Sequence, residues 1–221
     1  MLVRAATFEV RQKAARELFT DRGYSGTTIN EIAATAGVAV ETIYRVFGSK
    51  ASLFKGVLEA AIAGGAERAA IPPEQRPAVR KMAQELDPRR VLALHAATQP
   101  GIHARSGAYY RALREAASVD PDLADVWRQL EAQRLAGMRR LAQRLYGLGA
   151  LRPGLSVEDA RDILWTVNSH AVYDLLVVQA AGAIPRLDRG HQRSRSAWAG
   201  MRRSAWLLEP STVTHTCRAV A

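Results

Sequence analysis

The densest hydrogen-bonding chemistry in the sequence lies in Val40-Glu41-Thr42-Ile43-Tyr44-Arg45, with Lys50 shortly after. At helical spacing Ile43 and Phe47, one turn apart, share one face, and Val40, Glu41, Thr42, Tyr44 and Arg45 are left on the other. A phenol and a lysine at a helix start are good donors to phosphate oxygens. A carboxylate such as Glu41 repels phosphate but can accept a hydrogen bond from cytosine N4. A short helix held from behind, with its first residues projecting, is what the DNA major groove accepts.

A second set of polar residues is scattered through long apolar segments: His95, His103, Asn168, His170 and Asp174, in company with Trp127 and Trp165. A mostly apolar cavity with a few polar groups is the usual form of a small-molecule site, although each such residue alone is more often a satisfied core group. His95 and His103 are eight residues apart with Pro100 between them, which is not metal-ligand spacing. Asp120, Asp122 and Asp125 read as an acidic helix start rather than a calcium loop. No cofactor is implied. The sequence has no G-x-S-x-G elbow, P-loop, dinucleotide fingerprint or H-E-x-x-H motif, so a helical-bundle enzyme is the weakest reading.

The elements that must position these residues read as all-α. Apolar residues recur at three- and four-residue steps, and strand-like alternation is missing. The periodicity predicts a helix over 7–22 ended by Gly23, and a second from Thr28, where Thr28-Ile29-Asn30-Glu31 has the form of a capping box. A third spans 39–47, with Gly37 supplying the tight turn before it, and a fourth spans 50–63 after Ser49. Ala39 offers no side chain to cap the third. Residues 64–77 hold Gly64, Gly65, Pro72, Pro73 and Pro77 and mark a linker. Beyond it a helix starts at Asp87-Pro88 and is broken at Pro100-Gly101; others cover 104–118, 121–146 and 157–181. The last carries an apolar stripe (Ala160, Ile163, Leu164, Val167, Ala171, Leu175, Val178) suited to a two-helix-per-subunit dimer seam. The expected organisation is therefore a DNA-binding unit over 1–63, a linker over 64–77, a helical bundle over 78–181, and a basic, weakly structured tail over 182–221.

The 221 residues carry 31 Lys+Arg against 21 Asp+Glu, a formal net charge of +10. Half of that surplus sits in the last 44 residues, with seven basic and two acidic side chains, so overall basicity says little about the N-terminal motif. A single cysteine, Cys217, excludes a disulfide framework. Charged residues interrupt every candidate membrane span, and Met1-Leu2-Val3-Arg4 leads into an amphipathic pattern without the form of a signal peptide. A cytoplasmic protein with no membrane partner is expected.

The segment resembles the TetR family of bacterial transcriptional regulators. The likeness is carried by Ala14-Ala15, Leu18-Phe19, Gly23, Thr27-Thr28, Ile32-Ala33, Ala36-Gly37-Val38, Thr42-Ile43-Tyr44, Phe47, Ser49-Lys50 and Leu53, over about residues 7–58. A weaker match runs through Arg114-Glu115-Ala116-Ala117 to Asp120-Pro121, and through Leu151-Arg152-Pro153-Gly154-Leu155 to Trp165. The resemblance implies a homodimeric repressor that binds a pseudo-palindromic operator and is released by a small-molecule effector held in the C-terminal domain. It places Val40, Glu41 and Thr42 at base-reading positions, with Arg45 on the same face, and Thr27, Thr28, Tyr44 and Lys50 at phosphate-gripping ones. The polar and aromatic residues His95, His103, Trp127, Trp165, Asn168 and His170 are the expected effector contacts within that domain. Where the family often continues with Gly-Trp, this chain reads Ala181-Gly182-Ala183-Ile184-Pro185, consistent with divergence or a changed reading frame. A helical effector-binding or docking module that has lost DNA recognition is the alternative.

Overall fold

The computed structural model describes residues 2–179, and among them the backbone is helical without a strand. The order is α1 (Leu2–Arg22), α2 (Ile29–Thr35), α3 (Val40–Phe47), α4 (Lys50–Ala63), α5 (Ala66–Ala69), a 3₁₀ turn (Pro73–Gln75), α6 (Pro77–Gln84), α7 (Pro88–Ala116), α8 (Pro121–Gly147), α9 (Val157–Val167), α10 (His170–Tyr173) and a π-helical turn (Asp174–Gln179). The expectations for the tail over 182–221 lie outside the described residues. No described helix is long and apolar enough to cross a membrane.

The early helix boundaries follow local chemistry. At α2 the Thr28 hydroxyl accepts from Glu31 N–H while Thr28 N–H donates to Glu31 Oε2, so two orphan amides are satisfied reciprocally. Ser49 caps α4 by accepting from Ser52 N–H at 3.0 Å. The cap of α3, Ala39, has no side-chain hydrogen bond.

The described residues fall into two compact units. The first takes the chain up to Pro72 together with Ala104–Glu131. Its core joins Phe19, Ile32, Ile43, Phe54 and Leu58 with Tyr109, Tyr110 and Leu113 of α7 and Leu123, Val126 and Leu130 of α8. The residues expected to form the DNA-binding unit over 1–63 lie within this larger compact unit, and area accounts for its size: about 60 residues bury only about 60% of their unfolded surface, and the added helices pack on the core that α1 and α4 share. The second unit takes residues 73–103 and those from 132 onward. Its core is Val91, Leu92, Met138, Leu141, Ala142, Leu145, Ala150, Leu151, Ala160 and Leu164.

Three sequence expectations are corrected. Residues 64–77 are not plain linker, since α5 and a 3₁₀ turn form there and Pro77 opens α6 at its first position. The expected break at Pro100-Gly101 is absent, and α7 runs through Pro100. A proline removes one helix N–H, here the donor to the Ala96 carbonyl; the adjacent His95 carbonyl accepts side-chain bonds from Thr98 Oγ1 at 2.7 Å and Gln99 Nε2 at 3.3 Å. The helix expected over 157–181 is instead interrupted at Asn168, where Ser169 Oγ accepts from Val172 N–H and starts a new turn. Its apolar stripe accordingly divides: Ala160 and Leu164 are buried within the unit, whereas Leu175 and Val178 are exposed, as is Leu176 between them.

Candidate nucleic-acid interface and buried polar cluster

The presentation of α3 begins with a turn that only a few residues allow. Gly37 has φ +64°, a left-handed value that side chains other than glycine resist. Gly37 N–H donates to Ala34 O and Val38 N–H to Ala33 O, closing α2 and releasing the chain into α3 within four residues. Ile32 and Ala33 are buried, and Ile43 is 1% exposed, so the rear of α3 is fixed in the aromatic and aliphatic core around Phe19 and Phe54. Phe47 is half-buried against the same core.

The outward face carries Glu41, Tyr44 and Arg45, all exposed, with Thr42 half-buried beside them. Tyr44 is 50% exposed despite its large ring, and Val46 is 39% exposed. Val40, which the resemblance puts among the base readers, is half-buried and packs partly against the core.

Lys50 opens α4, and its ammonium stands 4.0 Å from the centre of the Tyr24 ring, a cation–π contact. Tyr24 in turn stacks on Phe19 at 6.0 Å and meets Phe54 edge-on at 5.2 Å. Burial pushes the Tyr24 phenol up to about 12, and Asp120 and Asp122 add to the rise. Burial lowers the Lys50 ammonium, opposed by the carboxylates of Asp120 and Glu31. Tyr24 is the residue that sequence reasoning missed. The available signal was an aromatic directly after Gly23, at the end of the helix that runs alongside Lys50.

The two neighbouring threonines part company. Thr27, expected to grip phosphate, is fully buried, and its hydroxyl donates to Gly23 O at 2.8 Å and Leu18 O at 3.2 Å. It closes the α1–α2 turn from inside and has no surface to offer DNA. Thr28 is exposed, but its hydroxyl is engaged with Glu31 Oε2 at 2.8 Å, and Glu31 also holds Arg22 at 2.9 Å. The backbone hydrogen bond from Thr28 is the first cause of the lowered Glu31 carboxyl. We expect Thr27→Val to cost about 1–3 kcal/mol by removing the hydroxyl that donates to the Gly23 and Leu18 carbonyls from a fully buried position. Urea denaturation measures that cost, and the salt dependence of DNA binding below the melting temperature should be unchanged.

The second unit buries polar groups. His95, Gln99, His103, Asn168 and Asp174 are each 8% exposed or less. His103 stacks on Tyr173 at 4.6 Å and meets His170 edge-on at 4.3 Å. The Arg134 guanidinium lies 4.4 Å over the Trp165 ring and donates to the Trp165 carbonyl at 2.6 Å, satisfying a helix-end acceptor where α9 stops. Asn168 Nδ2 lies 3.8 Å from Met138 Sδ. His95 Nδ1 is 3.5 Å from Gln99 Nε2, and its buried Nε2 has no hydrogen-bond partner among the described residues. Burial pushes His95 down to about 4, with the neighbouring His103 adding to the fall. His103 is likewise pushed down to about 4 by burial, against a raising hydrogen bond with Asn168 and with the Arg134 charge lowering it further. Both imidazoles are therefore neutral near pH 7. The structure thus brings His95, His103, Trp165, Asn168 and His170 into one unit. Trp127 does not join them: it belongs to the first unit, where it packs edge-on to Tyr110 at 6.1 Å. Asp120 Oδ1 accepts from Asp122 N–H and Leu123 N–H, which makes it the cap of α8.

Residues 13–57 match the family model for bacterial regulatory proteins of the tetR family. No curated protein matches the chain. Among solved structures, a protein described as a TetR-family transcriptional regulator from Rhodococcus sp. is similar with a TM-score of 0.66 at 15% identity, covering 93% of this chain and 100% of that one. NalD of Pseudomonas aeruginosa, the secondary repressor of the MexAB-OprM multidrug efflux pump, is similar with a TM-score of 0.62 at 21% identity, covering 93% and 98%. SmeT, solved in complex with triclosan, is similar with a TM-score of 0.58 at 20% identity, covering 94% of each chain. At these identities the likeness is one of fold.

Proposed function

We infer, from a TetR-family domain at residues 13–57, that the chain is a ligand-responsive transcriptional repressor, a regulator rather than an enzyme, acting on DNA in the cytoplasm. Two copies bind a pseudo-palindromic operator, each laying α3 into one major groove, with half-sites about 34–36 Å apart. The observation that carries this reading is the outward face of α3: Glu41, Tyr44 and Arg45 are exposed while Ile43 behind them is buried. Glu41, Thr42 and Arg45 read base edges, and Tyr44 and Lys50 hold phosphates, joined by backbone amides at the starts of α2 and α4. Exposed Leu175, Leu176 and Val178 supply apolar surface for pairing two copies. The effector lodges by buried His95, His103 and Asn168 with half-buried Trp165 and His170, and the state it favours presents the two α3 helices at the wrong spacing. NalD as a repressor and SmeT with its bound triclosan are consistent with both halves of this reading.

Mobility shift on DNA upstream of the gene tests it, with tight binding to one segment and weak binding to its scrambled sequence as the expected result. Lys50→Ala should lower the slope of log affinity against log salt by about one while leaving sequence preference intact. The uncapped start of α3 at Ala39 favours the second reading, an effector-binding module without DNA recognition. Equal affinity for operator and scrambled DNA would select it.

A further inference from the structure

The cation at the start of α4 is supported by an aromatic face rather than by a carboxylate. Lys50 Nζ stands 4.0 Å from the centre of the Tyr24 ring, and a ring face attracts a cation because its π electrons carry the negative part of a quadrupole. The carboxylates whose charge Lys50 feels are those of Asp120 and Glu31, and both are occupied by other donors. Glu31 accepts from Thr28 N–H and Thr28 Oγ1, at 2.8 Å each, and from Arg22 Nη1 at 2.9 Å. Asp120 Oδ1 accepts from the amides of Asp122 and Leu123. An ammonium has three N–H donors, and one resting on a ring keeps donors on its outer side for a further acceptor.

The ring itself is fixed from several directions. Gly23, with φ +69°, ends α1, and its N–H donates to Phe19 O at 3.2 Å. The Tyr24 carbonyl accepts from Thr27 N–H at 3.3 Å, so the backbone is tied on both sides of the ring. The ring stacks on Phe19 and meets Phe54 edge-on, and these two side chains are 4% and 0% exposed. Phe54 lies one turn beyond Lys50 on α4, so the ring meets both along one face of that helix. A lysine on a free surface samples many rotamers of its four-carbon stem. Here the stem is half-buried and its end rests on a wedged ring. All of these residues belong to the first compact unit.

We propose that Tyr24 is a positioning residue for DNA recognition: its ring orders the Lys50 ammonium in advance, so that a backbone phosphate at the start of α4 meets a placed cation rather than a rotating one. The inference rests on the DNA-binding reading above, in which Lys50 holds a phosphate, and adds to it a residue that reading leaves out. Tyr24 acts through Lys50, and the effect comes from the ring face, not from the hydroxyl.

The test uses the full-length protein on an operator selected from random DNA, below the melting temperature of each variant. Tyr24→Leu is expected to weaken operator binding about two- to tenfold, the size of the ordering cost of one long side chain. The slope of log affinity against log salt should stay as it is, because Lys50 still neutralises its phosphate. In a Lys50→Ala chain the same change should have no further effect, whereas a merely structural role would lower affinity in both backgrounds. Tyr24→Phe keeps the ring and should bind within about twofold of the unaltered protein. Should Tyr24→Leu fail to fold, phenylalanine at position 24 carrying one and then three ring fluorines keeps the ring's shape while draining its π face. Affinity should then fall at each step when Lys50 is present and at neither step when it is Ala. Three results would overturn the inference: affinity equal to or above that of the unaltered chain in the Leu variant or the fluorinated series, a loss that persists in full without Lys50, or a loss in Tyr24→Phe as large as in Tyr24→Leu. Selection of no operator at all by the unaltered protein would instead remove the DNA-binding reading on which it stands.

Discussion

Acidification from pH 7 to pH 5 is expected to weaken the second unit by a few kcal/mol. His95 and His103 are held at about 4 by burial, against 6.5 for an exposed imidazole. Between those values the unfolded chain binds protons that the folded one refuses, so stability falls as pH drops. The contribution is fully present above about 6.5 and is progressively lost on the way down to about 4. For one imidazole the difference corresponds to about 3 kcal/mol, and two neighbours that sense each other's charge lose it in coupled steps rather than as independent sites. Arg134 adds its own positive charge beside His103, and Asp174 is the buried carboxyl in the same stretch. A loss of this size is a large share of the about 5–15 kcal/mol that holds a typical domain. The capping carboxyls Glu31, Glu85 and Asp159 sit below their ordinary values, so they stay ionised until the medium is more acidic still, and the window from pH 6.5 to 5 isolates the imidazoles. Urea denaturation at several pH values measures the effect, and replacing both histidines with Gln should flatten the profile. A midpoint that does not move between pH 7 and pH 5 would contradict the burial of neutral histidines.

Ile43→Ala should be the most damaging single change for DNA recognition among residues that cannot touch DNA. Ile43 is 1% exposed and is the one fully buried side chain of α3, an eight-residue helix. Truncating a buried Ile to Ala costs about 2–5 kcal/mol through lost transfer energy and the cavity left behind. The cost falls on a helix too short to persist alone and lacking a side-chain cap at Ala39. Sequence-selective affinity should therefore fall by more than the melting temperature of the whole chain suggests, because α3 frays while the rest of the unit stays folded. Thermal denaturation and mobility shift on the same preparation check this. A variant with unchanged operator affinity would show that α3 is not held by Ile43.

The N-terminal helices were legible because their signals are local. Thr28 and Glu31 cap α2, Gly37 makes the turn, and Ile43 falls on the buried face, all readable at three- and four-residue steps. Thr27 and Thr28 look alike in sequence, and only the carbonyls of Leu18 and Gly23 decide that Thr27 is the one that turns inward. Pro100 reads as a break on local grounds, yet α7 continues because packing along its length outweighs one missing N–H. The interruption at Asn168 was invisible for the opposite reason: the apolar stripe runs on past it, and the Arg134 side chain that satisfies the end of α9 comes from 31 residues earlier. Trp127 and Trp165 were grouped by residue type, but contacts between elements distant in sequence send one to each unit. Tyr24 beneath Lys50 is hidden in the sequence for the same reason, since the two lie on separate elements.

Selection of binding sites from random duplex DNA by the full-length protein addresses the outward face of α3 most directly. Enrichment of an inverted repeat is the predicted result, with half-site centres one helical turn of about 10–10.5 base pairs, or a multiple of it, apart. The same selection with Tyr44 and Arg45 both changed to Ala should return no repeat. Recovery of unenriched sequence by the unaltered protein, or an identical repeat with the altered one, would contradict the assignment of this helix to the major groove.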